Sequence, residues 1–429
     1  MTDEGLRRLK IHIACCYNET YHKDNLPNWL TTDYKPYLKD EELDDISVDK
    51  MTLEDREAWS DNNIEKLLEI ADKEIIDANA EKPISLLASV LEIKDALEQE
   101  EYITYLPIPI DGSNNGWQHL CAISKDKEAG ELVGIVPQDI QKDFYVQCAK
   151  DLIKRVPDWF EERQMPMKHI RKGIAKRGSM TRAYSAGAQK IAENMYLDCH
   201  VEGYLNKYDI TKEDCEMLAK HLIKAIDNVC AGPLQTMKFL QKIAEAEIAS
   251  DYAKFIKQKA IKWTTPSGFP VIYEAFVENE FKEKAIISCS ERAVKPTIIK
   301  EDGTKEETDT IRIQHVGKEP TDKPKIRSFM SGISPNFVHS MDASHMAKVI
   351  SKWGEDFGAV HDSFSVHACD VDELLQLIKD QFIEMYSYPN FFEVIERMII
   401  TNPDNFNHNQ PRLGSLDIRE VNKSEYFFA

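Results

Sequence analysis

The chain is short of positive charge: 54 Lys and Arg stand against 74 Asp and Glu over 429 residues, a formal net charge of −20. Affinity for a phosphate backbone comes largely from cations that displace counterions, so this balance excludes indiscriminate nucleic-acid binding over the whole surface. Also missing is any run of the ~18 to 20 apolar residues that a membrane span requires. The N-terminal MTDEGLRRLK is too charged for a secretory signal, and the expectation is a cytoplasmic protein with no membrane partner. The nine cysteines are scattered, with one adjacent pair at Cys15 and Cys16 and no Cys-x-x-Cys, so neither a disulfide framework nor a structural zinc site is indicated.

What is present is ordinary globular composition, 42% hydrophobic and 9% aromatic, in a chain long enough for two or three domains on a sizeable core. Up to about residue 100 the pattern is helical with acidic connectors. Tyr102 to Ile110 then reads as a buried strand, rich in β-branched and aromatic residues, and drops at once into DGSNNGWQH (Asp111 to His119). Helices are expected from Gln138 to Lys154, from about Lys168 to Gly187 and across Lys212 to Gln258. A hairpin is expected around Ser267 and Gly268, a loop-like stretch from Lys300 to Lys325, and a helix opening near Pro335. Asp356 to His367 reads as strand, turn, strand, with His361, Asp362 and Ser363 at the turn.

Three features point to chemistry. Between Arg163 and Lys190 the chain carries eight Lys and Arg with no Asp or Glu, a local +8 in an acidic protein. Within it Lys172, Lys176, Met180 and Tyr184 recur every four residues and so share one stripe of an α-helix. Two cations, a thioether and a phenol suit an elongated anionic ligand with a sugar or ring at one end; the plainer reading is a solvated helix face with one half-buried tyrosine. Asp111 and Asp362 each stand where an apolar strand ends. Singly, each is an ordinary turn residue capping backbone amides. Together, on neighbouring strands, they would offer the paired carboxylates that Mg²⁺ takes alongside water and substrate phosphates.

The three stretches resemble one family. DGSNNGWQH resembles the first catalytic motif of the single-subunit, phage and mitochondrial type of DNA-directed RNA polymerase, KRGSMTRAY (Lys176 to Tyr184) its fingers-helix motif, and VHDSF (Val360 to Phe364) its third. Further similarity lies in LKIHIACC, WTTPSGFPV (Trp263 to Val271), SPNFVHSMDASHM (Ser334 to Met346) and the terminal GSLDIREVNKSEYFFA. The resemblance implies an α+β fold, a right-hand palm and fingers, mostly helical with a small antiparallel palm sheet. Its palm would comprise residues 1–128, of which 1–100 form a helical insertion, and residues 340–429 with a C-terminal foot. Its fingers would comprise residues 129–339, with 271–334 in the place of the promoter-reading hairpin.

By position the resemblance makes Asp111 and Asp362 the metal-binding aspartates of a two-Mg²⁺ mechanism, with the Gly112 carbonyl a further ligand. Lys176 corresponds to the lysine on the incoming triphosphate, Tyr184 to the tyrosine that senses the ribose 2′-hydroxyl, His339 to a histidine on the same wall, and Tyr145 to a tyrosine near the nucleotide. The family's arginine eight residues before the motif methionine is Lys172 here, with Arg171 next to it, so either could hold the terminal phosphates. Ser185 replaces the glycine that follows the motif tyrosine. The implied partners are a DNA template, an RNA product and ribonucleoside triphosphates. The family's thumb and N-terminal domain have no counterpart in these residues, which resembles the catalytic subunit of a two-subunit podovirus enzyme and implies a second subunit, with promoter-recognition proteins as further partners. The rival readings are a DNA polymerase of the related right-hand group and a noncatalytic scaffold.

Overall fold

A computed structural model describes residues 1–99, 101–288, 297–299, 305–307, 310–403, 406 and 409–428. Helix α1 (Asp3–Tyr17) starts where Thr2 accepts from the Gly5 N–H and two acids face the positive helix end. A short antiparallel pair, β1 (Thr20–His22) and β2 (Asp45–Ser47), precedes α2 (Leu53–Asn62), α3 (Ile64–Lys73) and α4 (Pro83–Glu98). These helices share one core with α1, through Leu9, Ile13, Trp59, Leu86 and Val90, all fully buried.

The strand after this helical part is shorter than its sequence suggests. Only β3 (Pro107–Asp111) is strand, alternating so that Ile108 and Ile110 are buried. Ile103 and Tyr105, read as part of a buried strand, are 72% and 77% exposed. β3 lies at the edge of its sheet, where Pro107 and Pro109 cost nothing because the N–H each lacks would face the open side.

Helix α5 (Asn115–Ser124) follows and is buried along its whole length. The helix expected from Gln138 begins instead at Phe144: Asp143 caps α6 (Phe144–Arg155), and the polar residues before it are not helical. The basic stretch is not one α-helix either. A π-helical turn (Ile170–Ala175) leads into α7 (Lys176–Arg182), which stops five residues short of Gly187. Then come α8 (Ala188–Val201), α9 (Lys212–Val229), opened by a Thr211–Asp214 capping box, and α10 (Ala231–Ala249).

The expected hairpin is present as β4 (Ala260–Thr264) and β5 (Pro270–Glu274), turning at Gly268 with φ +86°. Beyond it β6 (Phe276–Ser288) pairs with β9 (Thr310–Pro324) in a long antiparallel ribbon, and β7 (Thr297–Ile299) pairs with β8 (Lys305–Glu307). The stretch from Lys300 to Lys325 is therefore strand rather than loop over most of its described residues. Helix α11 (Ile326–Lys352) starts nine residues before Pro335 and carries that proline inside it. A mid-helix proline costs about 3 kcal/mol; burial of Phe329 and Ile333 before it and Phe337 after it favours continuing the helix through it. β10 (Gly358–Val360), β11 (Ser363–His367), α12 (Val371–Tyr386) and α13 (Phe391–Ile399) complete the elements that matter here. The whole is a mixed α+β, polymerase-like fold, mostly helical, with small antiparallel sheets.

Candidate active site

Strands β10, β11 and β3 form one three-stranded antiparallel sheet. Its register pairs Asp111 with Ser363, and the Gly112 N–H donates to the Asp362 carbonyl at 3.4 Å, so the two aspartates stand at adjoining strand ends. The turn that delivers Asp362 passes through His361 at φ +56°. Desolvation raises the pKa of Asp111, and the charge of Asp362 raises it further. Two hard-oxygen donors that repel each other, with no third acid, His or Cys completing a metal cluster among the described residues, fit Mg²⁺, which is satisfied by one or two carboxylates.

The residues after Asp111 tie the turn to several elements. Gly112 bridges Phe428, and Ser113 donates from its N–H to the Phe427 carbonyl at 3.3 Å and from its hydroxyl to the Tyr426 carbonyl. Asn114 accepts from the Tyr145 hydroxyl at 2.8 Å. Asn115 donates to Asp342 at 2.5 Å, and the Trp117 indole donates to the Ser179 carbonyl on α7 at 2.9 Å. Gln118 donates to the carbonyls of Val133 and Phe427, and His119 meets the Tyr386 hydroxyl at 2.6 Å. The chain terminus is thereby woven into the turn that carries the first aspartate.

The cationic stretch is mostly neutralised by acids distant in sequence. Arg163 pairs with Asp214, Lys168 with Asp45, Arg171 with Asp143, Lys172 with Glu202, Arg177 with Asp198, Arg182 with Asp227 and Lys190 with Glu193. Among the described residues, Lys176 is the one cation of the eight with no carboxylate within ion-pair distance. Its pKa is lowered by desolvation first, then by the neighbouring charges of Arg171 and Lys50.

The π turn settles the facing of Arg171 and Lys172. The Lys176 N–H bonds to the Arg171 carbonyl five residues back, which widens the turn and sets Arg171 above Lys176. Lys172 is turned away, 55% exposed. The four-residue stripe is thus broken at both ends, since Tyr184 also lies past the end of α7. A cleft of about 680 Å³ opens beside Asp111, lined among others by Asp111, Gly112, Tyr145, Arg171, Lys50 and Lys82. Of the residues singled out from sequence, Asp111, Gly112, Tyr145 and Arg171 line this cleft, whereas Asp362, Lys172, Lys176, Tyr184 and His339 do not. Lys50 went unnoticed in the sequence because nothing in its local pattern sets it apart.

Tyr184 and His339 come together as a stacked pair, ring centroids 4.5 Å apart and planes 21° off parallel. The pKa of Tyr184 is pushed up to about 12, by desolvation and then by the charges of Asp342 and Asp362. Asp342, one turn along α11 from His339, is the acid that sequence reading missed; burial lifts it to about 6, with Asp362 adding to the rise. Gly116 leaves room for the tyrosine: a Cβ there would lie 2.8 Å from its hydroxyl oxygen.

Ser185 adopts φ +63°, the left-handed conformation that glycine tolerates best, and its hydroxyl is buried without a hydrogen-bond partner among the described residues. Replacing Ser185 with glycine is expected to stabilise the fold by about 1 kcal/mol, the lost backbone strain and unpaired hydroxyl outweighing the extra freedom of the unfolded chain. A urea titration reads this directly; a lower midpoint would show that the hydroxyl contributes a bond.

A sequence profile of the DNA-dependent RNA polymerase family matches residues 1–410. The chain belongs to that family. It is 28% identical over 451 residues to DNA-directed RNA polymerase 1, mitochondrial, of Arabidopsis thaliana, an alignment that covers 99% of this chain and 39% of the relative. It is 28% identical over 457 residues to DNA-directed RNA polymerase 1B, mitochondrial, of Nicotiana tabacum, covering 99% and 38%. With DNA-directed RNA polymerase 3, chloroplastic, of Nicotiana sylvestris it shares 27% over 444 residues, covering 99% and 39%. The chain spans about two fifths of the length of these polymerases. Their names place them in organelles and lend no support to a cytoplasmic location; among the described residues no helix is long and apolar enough to cross a membrane.

Proposed function

We propose that this chain carries the nucleotide-adding centre of a DNA-directed RNA polymerase, with residues 1–128 and 340–429 as palm and 129–339 as fingers. The observation that carries the reading is the convergence of Asp111 and Asp362 at adjoining strand ends, with Arg171 in the cleft that Asp111 lines, Lys176 beside Arg171, and the Tyr184–His339 stack within reach of the Asp362 charge.

Asp111 and Asp362, with the Gly112 carbonyl, would hold two Mg²⁺ ions, which when bound supply charge neutralisation for the attacking 3′-oxygen and the departing pyrophosphate. Lys176 and Arg171 bind and orient the triphosphate and offset negative charge that grows on it as the leaving group separates. Tyr184 and His339 form the wall against the sugar. Most of the catalysis is therefore positioning and electrostatics, done by groups fixed before substrate arrives.

With seven of the eight cations in the basic stretch already paired and a net charge of −20, this chain has little to grip a template–product hybrid. We assign that grip to further polypeptide of the kind that makes up the rest of the relatives' length, and a separate, more basic subunit is one form it could take. The test is extension of an RNA primer annealed to a DNA template, with Mg²⁺ and either ribo- or deoxynucleotides, alone and with that polypeptide. Extension with ribonucleotides supports the reading. A preference for deoxynucleotides favours the DNA-polymerase reading, and no extension under either condition favours a noncatalytic scaffold.

A further inference from the structure

We infer that Asp143 is a positioning residue that fixes the guanidinium of Arg171 at the wall of the cleft; the inference rests on the nucleotide-binding reading above. Asp143 is only 9% exposed. One of its oxygens accepts from the N–H groups of Tyr145 and Val146, at 2.9 and 3.1 Å, and so caps α6. The other accepts from Nε of Arg171 at 2.7 Å, with Nη2 also at 2.7 Å. Arg171 lies over the Tyr145 ring, 5.5 Å from its centroid, and Tyr145 in turn donates to Asn114, three residues from the first aspartate. Tyr145, in the first turn of α6, thus joins the metal turn to this helix, and the guanidinium is held between its ring and Asp143.

A long flexible cation would otherwise lose several rotatable bonds' worth of freedom on meeting an anion, and holding it in place beforehand removes that cost. The division of labour on the carboxylate matters. Its charge is shared between two helix-terminal N–H groups and one edge of Arg171, and no bond to another described residue engages Nη1. That nitrogen remains for a phosphate oxygen. The π turn is what allows the arrangement, because it aligns residues five apart and puts Arg171, not Lys172, opposite Asp143.

Capping and positioning are separable, since asparagine caps a helix about as well as aspartate does but cannot hold an arginine by charge. The experiment is a double-mutant cycle on Asp143→Asn and Arg171→Ala in the presence of template–primer and the polypeptide that grips it, reading calorimetric binding of ATP with Mg²⁺ and, in parallel, KM and kcat for ATP addition. Each single variant is expected to weaken ATP binding and raise KM about tenfold, with kcat changed less than about threefold, and the double variant to be no worse than Arg171→Ala alone. Additive effects in the cycle, or wild-type affinity in Asp143→Asn, would overturn the inference, as would ATP binding that Arg171→Ala leaves unchanged. A purely structural role would instead lower the melting temperature and kcat while leaving KM in place. If wild type binds ATP with this coupling but adds no nucleotide, the inference stands and the polymerase reading fails.

Discussion

Asp362→Asn, or Asp111→Asn, is expected to reduce nucleotide addition by about a hundred- to a thousandfold, the scale on which losing one fixed electrostatic contact to a transition state acts. Each change removes a carboxylate charge at a strand end without altering side-chain size, so the sheet register between β3 and β11 should survive. Stability supplies a second readout that does not depend on activity. Because Asp362 raises the pKa of Asp111, the two carboxylates repel when no cation is present, and either variant should then melt no lower than wild type. Adding Mg²⁺ should raise the melting temperature of wild type by mass action and leave the variants where they were. Wild-type-like extension by either variant would remove that residue from the chemistry; a Mg²⁺-induced shift in both variants equal to that of wild type would place the cation elsewhere.

Tyr184→Phe is expected to keep ribonucleotide addition within a few-fold of wild type while the preference for ribo- over deoxynucleotides falls by about tenfold or more. The ring and its stack on His339 are retained, so the wall keeps its shape. What is lost is the hydroxyl, which sits where desolvation and two nearby carboxylates keep it protonated and able to donate. A site that hydrogen-bonds a substrate hydroxyl rejects the analogue lacking it, because its own polar group is then left unpaired. The measurement is the ratio of kcat/KM for ATP and dATP on the same primer. An unchanged ratio would assign sugar sensing to another group, with His339 as the first to examine.

How far the sequence foretold this site depended on whether a feature was local. The aspartates were legible because each follows an apolar strand and precedes a turn, and the sheet then joined them as expected. The hairpin at Gly268 was legible for the same reason. Tyr184 showed itself in the four-residue stripe, but His339 was found only through motif resemblance, since 155 residues separate the two and no periodicity links them. The π turn was invisible: a helix that widens for one turn keeps the residue types of an α-helix, so Lys172 looked equivalent to Arg171 until the Lys176 N–H was seen bonding five residues back. The +8 stretch misled because its counter-ions, Asp45, Asp143, Asp198 and Asp227 among them, lie outside the stretch and arrive only with the tertiary fold. Pro335 misled by a rule of thumb, being read as a helix start although buried neighbours carry the helix through it. Asp342 escaped notice because a carboxylate in mid-helix has no local signature; its meaning comes from Asn115, which reaches it from another element.

On the function proposed above, Asp111, Asp362, Lys176 and Arg171 form a centre that adds ribonucleotides under the direction of a DNA strand. Its most direct measurement is single-nucleotide addition to an annealed RNA primer, with Mg²⁺, on four templates that differ only in the base opposite the incoming nucleotide, in the presence of whatever polypeptide supplies the grip on the hybrid. The expected result is that the ribonucleotide added changes with the template base and that Asp362→Asn adds about a hundred- to a thousandfold less. Addition that ignores the template base, or that is undiminished in Asp362→Asn, would contradict it.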